Sequence, residues 1–416
     1  MSPRETTPPV TVLGAGIVGI CTALSLLERG VQVRLLDRGE PGQETSMGNA
    51  GIVSPWSFVP QAMPGTLGNI PRLLFGYGRP LSIDWRVAHR MLPWGLKFLR
   101  QGREDRARET SEAMSYLCGP SIELYERHLR GTRHENLLCD SMYVHAFRDG
   151  SRASLSDLEY RIRQEKGGDL ELVGRDKLAE LEPSLSPDFS AAVLIHGQAR
   201  VRSPGRLGQV LAEKAQLMGA EIIRTDIRSV RREAELWKVD CADASFEAAQ
   251  IVVALGAWST KLLDWLPFNL PLVAERGYHV EFPNPEIEIN NSVMDVDAKV
   301  VASNMEGGVR VAGQAEFAPV DAPPNTKKQS QLERIAQEAF PGLNTDTPSF
   351  WMGRRPSFPD SLPVIGEVTG HAGLFVNFGH SHYGLMMAPK SGDVMAGLIA
   401  GERANADLMP LSPYRF

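Results

Sequence analysis

"VTVLGAGIVGI", residues 10–20, decides how the rest of the chain is read. Val10 to Leu13 form a β-branched and leucine run that predicts a short strand. Gly14, Gly16 and Gly19 follow in G-x-G-x-x-G spacing and open a helical apolar pattern, which closes at Gly30 in the position of a helix C-cap. "VQVRLL" predicts a second strand, ended by Asp37 at close to the ~20 residues past the glycines where a ribose-binding acid stands. Gly14 permits the tight turn, Gly16 keeps a side chain away from a pyrophosphate, and Gly19 lets helix and strand pack closely. The helix start then aims free N–H groups and the positive dipole end at phosphates. A glycine-rich α/β turn without a ligand shares the glycines, but the order strand, glycines, helix, strand, acid points to dinucleotide binding. Arg38 raises an NADP 2′-phosphate site as a second reading; Asp37 before it argues for a free ribose, with Arg38 solvated or beside the adenine.

The next stretch bears on which dinucleotide. "ETSMGNAGIVSP", residues 44–55, gathers Thr45, Ser46, Gly48, Asn49, Ala50 and Gly51, small residues that let backbone amides approach a flat ligand. Thr45 and Ser46 add hydroxyl donors for a phosphate. In composition alone an ordinary flexible loop reads the same way.

The chain has 416 residues, 43% of them hydrophobic, enough for two or three domain-sized units. A formal net charge of -6 lacks the basic surplus of a nucleic-acid binder. Cys21, Cys118, Cys139 and Cys241 form no C-x-x-C pair and have no histidine at zinc spacing, so neither a disulfide framework nor a metal site is expected. "MSPRETTPP" at the start lacks the apolar centre of a signal peptide, and no apolar run approaches the ~18 residues of a membrane span. A soluble, cytoplasmic protein is the expectation. No internal repeat or low-complexity tract is present.

Residues 56–130 read as mainly helical. Within them, 71–101 carry Arg72, Arg79, Arg86, Arg90, Lys97 and Arg100 against Asp84 alone. Two readings stand: a core-packed helix pair with a solvated basic side, or a face for a membrane surface or a partner. "SMYVHAF" (141–147) and "AAVLIHG" (191–197) read as strands, and 203–223 as a helix with Ser203 as N-cap and Pro204 in its first turn, then a strand. "AAQIVVALGAWS" (248–259) reads as a buried parallel strand ending in Gly256. "RGYHVEF" (276–282) and 298–320 read as antiparallel, with a hairpin turn at Glu306–Gly308, and "GLFVNFG" (373–379) runs into a final helix. The expected fold is α/β: a Rossmann-like dinucleotide domain interwoven with an α+β substrate domain containing an antiparallel sheet. The expected division gives the first domain residues 1–60, 203–268 and 352–416, and the second 61–202 and 269–351.

The glycine motif with its acid, "TSMGNAG", "ALGAWS", "GRRPSFPDSLPVIG" and "FGHSHYGLMMAP" stand in that order along the chain. Together they resemble the D-amino-acid oxidase/dehydrogenase superfamily of FAD-dependent amine oxidoreductases, closest to the bacterial D-amino-acid dehydrogenase branch. The resemblance runs from Val10 to about Ala400. It implies a non-covalent FAD. Gly14, Gly16, Ile17, Val18, Gly19, Asp37 and Arg38 would hold the ADP half. Thr45, Ser46, Asn49, Ala50, Gly51 and Ile52 would follow the pyrophosphate and the flavin ring, Ile227 would meet the adenine, and Gly256 and Trp258 would flank the pyrophosphate. Gly353, Gly379, His380, Gly384, Leu385 and Met386 would wrap the isoalloxazine.

The same resemblance implies that Arg355 grips a substrate carboxylate, a guanidinium being able to hold one through two parallel bonds, and that Arg354 occupies a variable position. The bland alternative pairs Arg355 with a local acid such as Asp360. Tyr278 and His382 align with positions near the substrate, each open to a packing role, and Met47 with the pocket wall. No general base is required by the expected chemistry, with His382 the first candidate for one. The implied reaction is oxidative deamination of a D-amino acid, with cyclic ones such as D-proline or D-hydroxyproline in view. Alternatives are an L-imino acid, an N-methyl amine or an opine as substrate, or a flavin subunit of a larger electron-transfer complex docking through 71–101. The implied acceptor is a quinone or oxygen, with peripheral contact at the inner membrane.

Overall fold

The computed structural model describes residues 8–267 and 269–416. The expectation drawn from the first nine residues therefore falls mostly outside the described chain. Strand β1 (Val10–Leu13) is buried at every position, as its unbroken apolar run requires. It leads through the glycines into helix α1 (Ile17–Leu27) and back to strand β2 (Val33–Asp37), parallel to β1. Helix α1 closes two residues earlier than a C-cap at Gly30 needs: Glu28 is the C-cap, and Gly30 makes the turn after it at φ +75°.

Six strands form the first sheet, in the order Val364–Glu367, Leu374–Phe378, Ile251–Val253, β1, β2, Glu221–Arg224. All neighbours are parallel except the first pair. Its members come from the start, middle and end of the chain. Helix α1 lies against this sheet and against the last long helix, Gly384–Ile399, its Ile17, Ile20, Leu24 and Leu26 all buried. Each such side chain taken from water contributes about 1.5–3 kcal/mol. The helix Pro204–Leu217 starts where Pro204 predicts, although the Ser203 side chain makes no capping bond. The buried strand near Gly256 stops at Val253; Gly256 instead opens a single 3₁₀ turn, Gly256–Trp258.

The second sheet has ten strands drawn from residues 52–201 and 273–357, antiparallel in most pairs. The hairpin joins Val300–Met305 to Gly308–Phe317 as expected. Helix Lys327–Ala339 packs Leu332, Ile335 and Ala336 into a separate core on this sheet. The chain thus crosses between sheets repeatedly, giving the interwoven α/β architecture read from the sequence. Ile52–Val53 already pairs in the second sheet, and Ser349–Ser357 runs unbroken through position 352. A three-stranded antiparallel ribbon, 227–248, completes the fold.

Residues 66–101 form helices α2 (Thr66–Phe75) and α3 (Trp85–Gln101), the latter capped by Asp84, whose side chain accepts from Arg86 N. A core-packed pair is not what forms. Helix α2 buries no residue and α3 buries Trp94 alone, because their inner sides face a cavity and not a packed core. Among the described residues no helix is long and apolar enough to cross a membrane.

Candidate active site

A cavity of about 1830 Å³ is lined by both sheets and by α2 and α3. At one end stands the glycine turn. Gly14 adopts φ +112°, and a Cβ there would lie 2.5 Å from the Ala254 carbonyl oxygen. At Gly19 a Cβ would lie 1.8 Å from the Gly14 carbonyl oxygen, so α1 can start this close to β1 only without a side chain. Both residues sit behind the cavity wall, while Gly16, Ile17 and Val18 line it. The helix N-terminus carries no side-chain cap of its own; Ser46 Oγ accepts from Ile17 N at 3.1 Å. Asp37 lines the cavity at the end of β2, its two oxygens accepting from Ala15 N at 2.7 Å and Gly39 N at 2.8 Å. Arg38 lies over the Trp258 ring at 4.3 Å and pairs with Glu44 at 2.8 Å. Ile227 and Gly256 border the same end. An uncapped helix start, a glycine at its mouth and a carboxylate held at the strand end fit the diphosphate and ribose of a dinucleotide.

The small-residue loop continues the wall through Thr45, Ser46, Asn49, Ala50 and Ile52. Three expectations there are revised. The Thr45 hydroxyl donates to the Arg354 carbonyl at 3.0 Å and so ties the loop to strand Ser349–Ser357. Gly51 turns away at φ +81° and bonds the strand behind it. Met47 packs on Gly205 instead of facing the cavity. On the far side Gly353, Gly379, His380, Gly384, Leu385 and Met386 line the wall. His380 is buried beside Ser391 Oγ at 3.0 Å, and burial lowers its pKa to about 3, so its ring is neutral.

On the cavity wall Arg355, Glu275 and His382 meet, with the buried Ser357 behind them. Arg355 and Glu275 stand directly opposite on neighbouring antiparallel strands. Glu275 is 3% exposed. Its Oε1 accepts from Arg355 Nη1 at 3.1 Å and from His382 Nε2 at 2.6 Å, and its Oε2 from Ser357 Oγ at 3.0 Å. Burial pushes the Glu275 carboxyl up, but the charge and hydrogen bond of His382, the Arg355 charge and the Ser357 bond more than reverse it, to about 2. Arg355 also donates to the Gln314 carbonyl at 2.7 Å. Beneath its guanidinium lies Gly277, where a Cβ would stand 2.3 Å from the guanidinium carbon. Arg355 does pair with an acid, as the bland reading has it, but with Glu275 at 3.1 Å and not with Asp360, which Arg415 holds at 2.7 Å.

Tyr278 does not join this cluster. Three residues along from Glu275, it belongs to the opposite face of the strand. It stacks on Phe350 with centroids 5.6 Å apart and donates its hydroxyl to Glu316. It is packed in this way while still bordering the cavity. Arg354 points elsewhere as well, its Nε donating to the Val320 carbonyl at 2.8 Å.

Sequence reasoning missed Glu275, Gly277 and Trp351. Trp351 lines the cavity, stacked on His279 at 5.1 Å. Glu275 left one signal, an acid inside an otherwise strand-like run, but nothing local says which arginine it faces.

The chain matches the FAD-dependent oxidoreductase family DAO over residues 9–398. It is 35% identical to a D-amino-acid oxidase of Bradyrhizobium diazoefficiens, over 98% of each chain. It is 30% identical to a D-amino acid dehydrogenase of Rhizobium rhizogenes, over 98% of this chain and 99% of that one. Among solved structures it resembles glycine oxidase from Geobacillus kaustophilus, with TM-score 0.76 and 21% identity over 99% of both chains. L-proline dehydrogenase from P. horikoshii is similar, with TM-score 0.75 and 18% identity over 99% and 98%. At such identities the two structures bear on the fold, which they share. A dinucleotide cradle of this form, with a full-length family match around it, makes the chain a member of the FAD-dependent oxidoreductase family DAO, with FAD as its cofactor.

Proposed function

We propose that this protein oxidises the CH–NH₂ bond of a D-amino acid, or the CH–NH bond of a cyclic one such as D-proline or D-hydroxyproline. The observation that carries the reading is the cluster of Arg355, Glu275 and His382 inside the cavity that also holds the dinucleotide cradle. A zwitterion needs both signs of charge close together. Arg355 supplies the cation: Nη1 stays on Glu275 and the Gln314 carbonyl, Nη2 makes a long 3.5 Å bond to the Gly313 carbonyl that a carboxylate can replace, and Nε offers the second donor. Glu275 and His382 offer acceptor capacity to the amino end. Because Glu275 is ionised, His382 Nε2 is its donor, which leaves Nδ1 as the other polar atom of the ring. Fixing both ends of the substrate orients its α-hydrogen. Bound FAD supplies the acceptor for that hydride at N5. The substrate leaves as an imino acid; water hydrolyses an open-chain one to a 2-oxo acid and ammonia, whereas a cyclic one keeps its nitrogen on the ring-opened chain.

The names of the two curated relatives support the substrate class and imply an external electron acceptor, oxygen or a quinone. The residues lining the cavity at the glycine turn, the 44–52 loop and 379–386 are proposed to hold the FAD. A cytoplasmic setting, with contact at the inner membrane, and a five-segment division with joints at the sheet crossings belong to the same proposal.

The test is anaerobic bleaching of the flavin absorbance in FAD-loaded protein mixed with paired D- and L-amino acids, both prolines, both hydroxyprolines and sarcosine. Bleaching by the D-series alone is expected. Bleaching confined to L-imino acids or N-methyl amines overturns the substrate class, and no bleaching by any compound overturns the reaction.

A further inference from the structure

We propose that the outer face of α2 and α3 docks on an anionic lipid bilayer. Along α3, Trp85, Leu92 and Leu96 fall at i, i+7 and i+11, one stripe of the helix, and are 83%, 64% and 50% exposed. Leu67 and Phe75 of α2 are 66% and 78% exposed. An ordinary surface helix puts its apolar stripe inward and its polar side out. Here both sides are apolar: Trp94 and Phe98 stack on each other inside, Trp94 also meets Phe317 of the second sheet, and Met91 lines the cavity.

Charge selects the occupant. Arg90, Lys97 and Arg100 run along one side of the stripe at helical spacing and Arg79 precedes the helix, while Arg86 is paired with Asp84 at 2.6 Å, the one acid between 71 and 101, on a protein whose formal net charge is -6. A second copy meeting this face with the same face would set guanidinium against guanidinium. A convex row of Trp, Leu and Phe edged by long basic side chains instead matches a deformable apolar phase beneath anionic headgroups, where the stems lie along the apolar layer and the charged heads reach the phosphates. The inner faces of these helices form the cavity wall, so docking sets that wall against the bilayer, within reach of an apolar electron acceptor dissolved there. That last consequence rests on the proposed reaction; the docking does not.

The experiment is co-sedimentation of the FAD-loaded protein with vesicles of phosphatidylcholine alone or mixed with phosphatidylglycerol, without substrate. Sedimentation with the anionic vesicles only, weakened by salt, is expected. The double variant Arg90→Gln/Arg100→Gln loses about 25-fold in affinity, about fivefold for each cation. The triple variant Trp85→Ser/Leu92→Gln/Leu96→Gln abolishes binding. None of these side chains lines the cavity, so flavin content and activity with a soluble dye acceptor stay unchanged and report an intact fold. Failure to sediment with either vesicle overturns the proposal, as does binding that the variants leave intact. A dimer that the triple variant disperses, with no vesicle binding, assigns the face to a second copy and overturns it too.

Discussion

Glu275→Gln removes one charge from a buried hub and keeps its shape. The carboxylate holds Arg355, His382 and Ser357, and its pKa falls to about 2 from the ordinary 4.5. A carboxyl depressed that far contributes ~3 kcal/mol to folding at neutral pH. The folded-state value lies below the unfolded one, so this stabilisation is complete above pH 4.5 and drains away as the pH falls toward about 2. Glutamine never has it. The variant is therefore expected to unfold with ~3 kcal/mol less at neutral pH, and the gap narrows to less than about half by about pH 3. Urea unfolding of both FAD-loaded proteins, followed by tryptophan fluorescence across that range, measures the gap. A difference below about 0.5 kcal/mol at neutral pH, or one that acid leaves constant, refutes the reasoning.

Other perturbations act on the same wall. Arg355→Lys keeps a charge near Glu275 but loses the paired geometry, and KM for the amino acid is expected to rise ~100-fold with a smaller fall in kcat; steady-state kinetics within about threefold of the parent would sink the carboxylate role. Gly277→Ala puts a methyl where the guanidinium lies, so it displaces Arg355 without touching the glycine turn; a KM increase of ~10-fold at full flavin content is expected, and loss of flavin instead would show that the strand has moved. Gly19→Ala forces a Cβ against the Gly14 carbonyl, which is backbone and cannot swing aside, so the purified protein should carry little FAD by its flavin-to-protein absorbance ratio; normal loading contradicts the close-packing account.

Arg355 shows how function and stability share a residue. One edge of its guanidinium is taken by Glu275 and a backbone carbonyl, which fixes its plane before any substrate arrives. A cation held in advance by a buried counter-ion has less rotamer freedom left to lose on binding. Glu275 also holds Arg355 and His382 in place, so its loss is expected to cost orientation as well as stability.

The dinucleotide end of the cavity is legible in the chain's own residues. Strand, glycines, helix, strand and acid are contiguous between Val10 and Asp37, and each constraint there is local: a positive φ at Gly14, a close approach at Gly19, a carboxylate at a strand end. The interwoven order of parallel and antiparallel segments was legible for the same reason, since periodicity and turn residues act over a few positions. The other end depends on contacts that folding alone creates. Arg355 is 80 residues from Glu275, and His382 is 107. The register of two antiparallel strands sets Glu275 opposite Arg355, and the same alternation sends Tyr278 to the other face. The fate of α2 and α3 was equally hidden. Their apolar residues predict burial, yet a cavity occupies the side where a core would lie, so part of that apolar surface is left facing out.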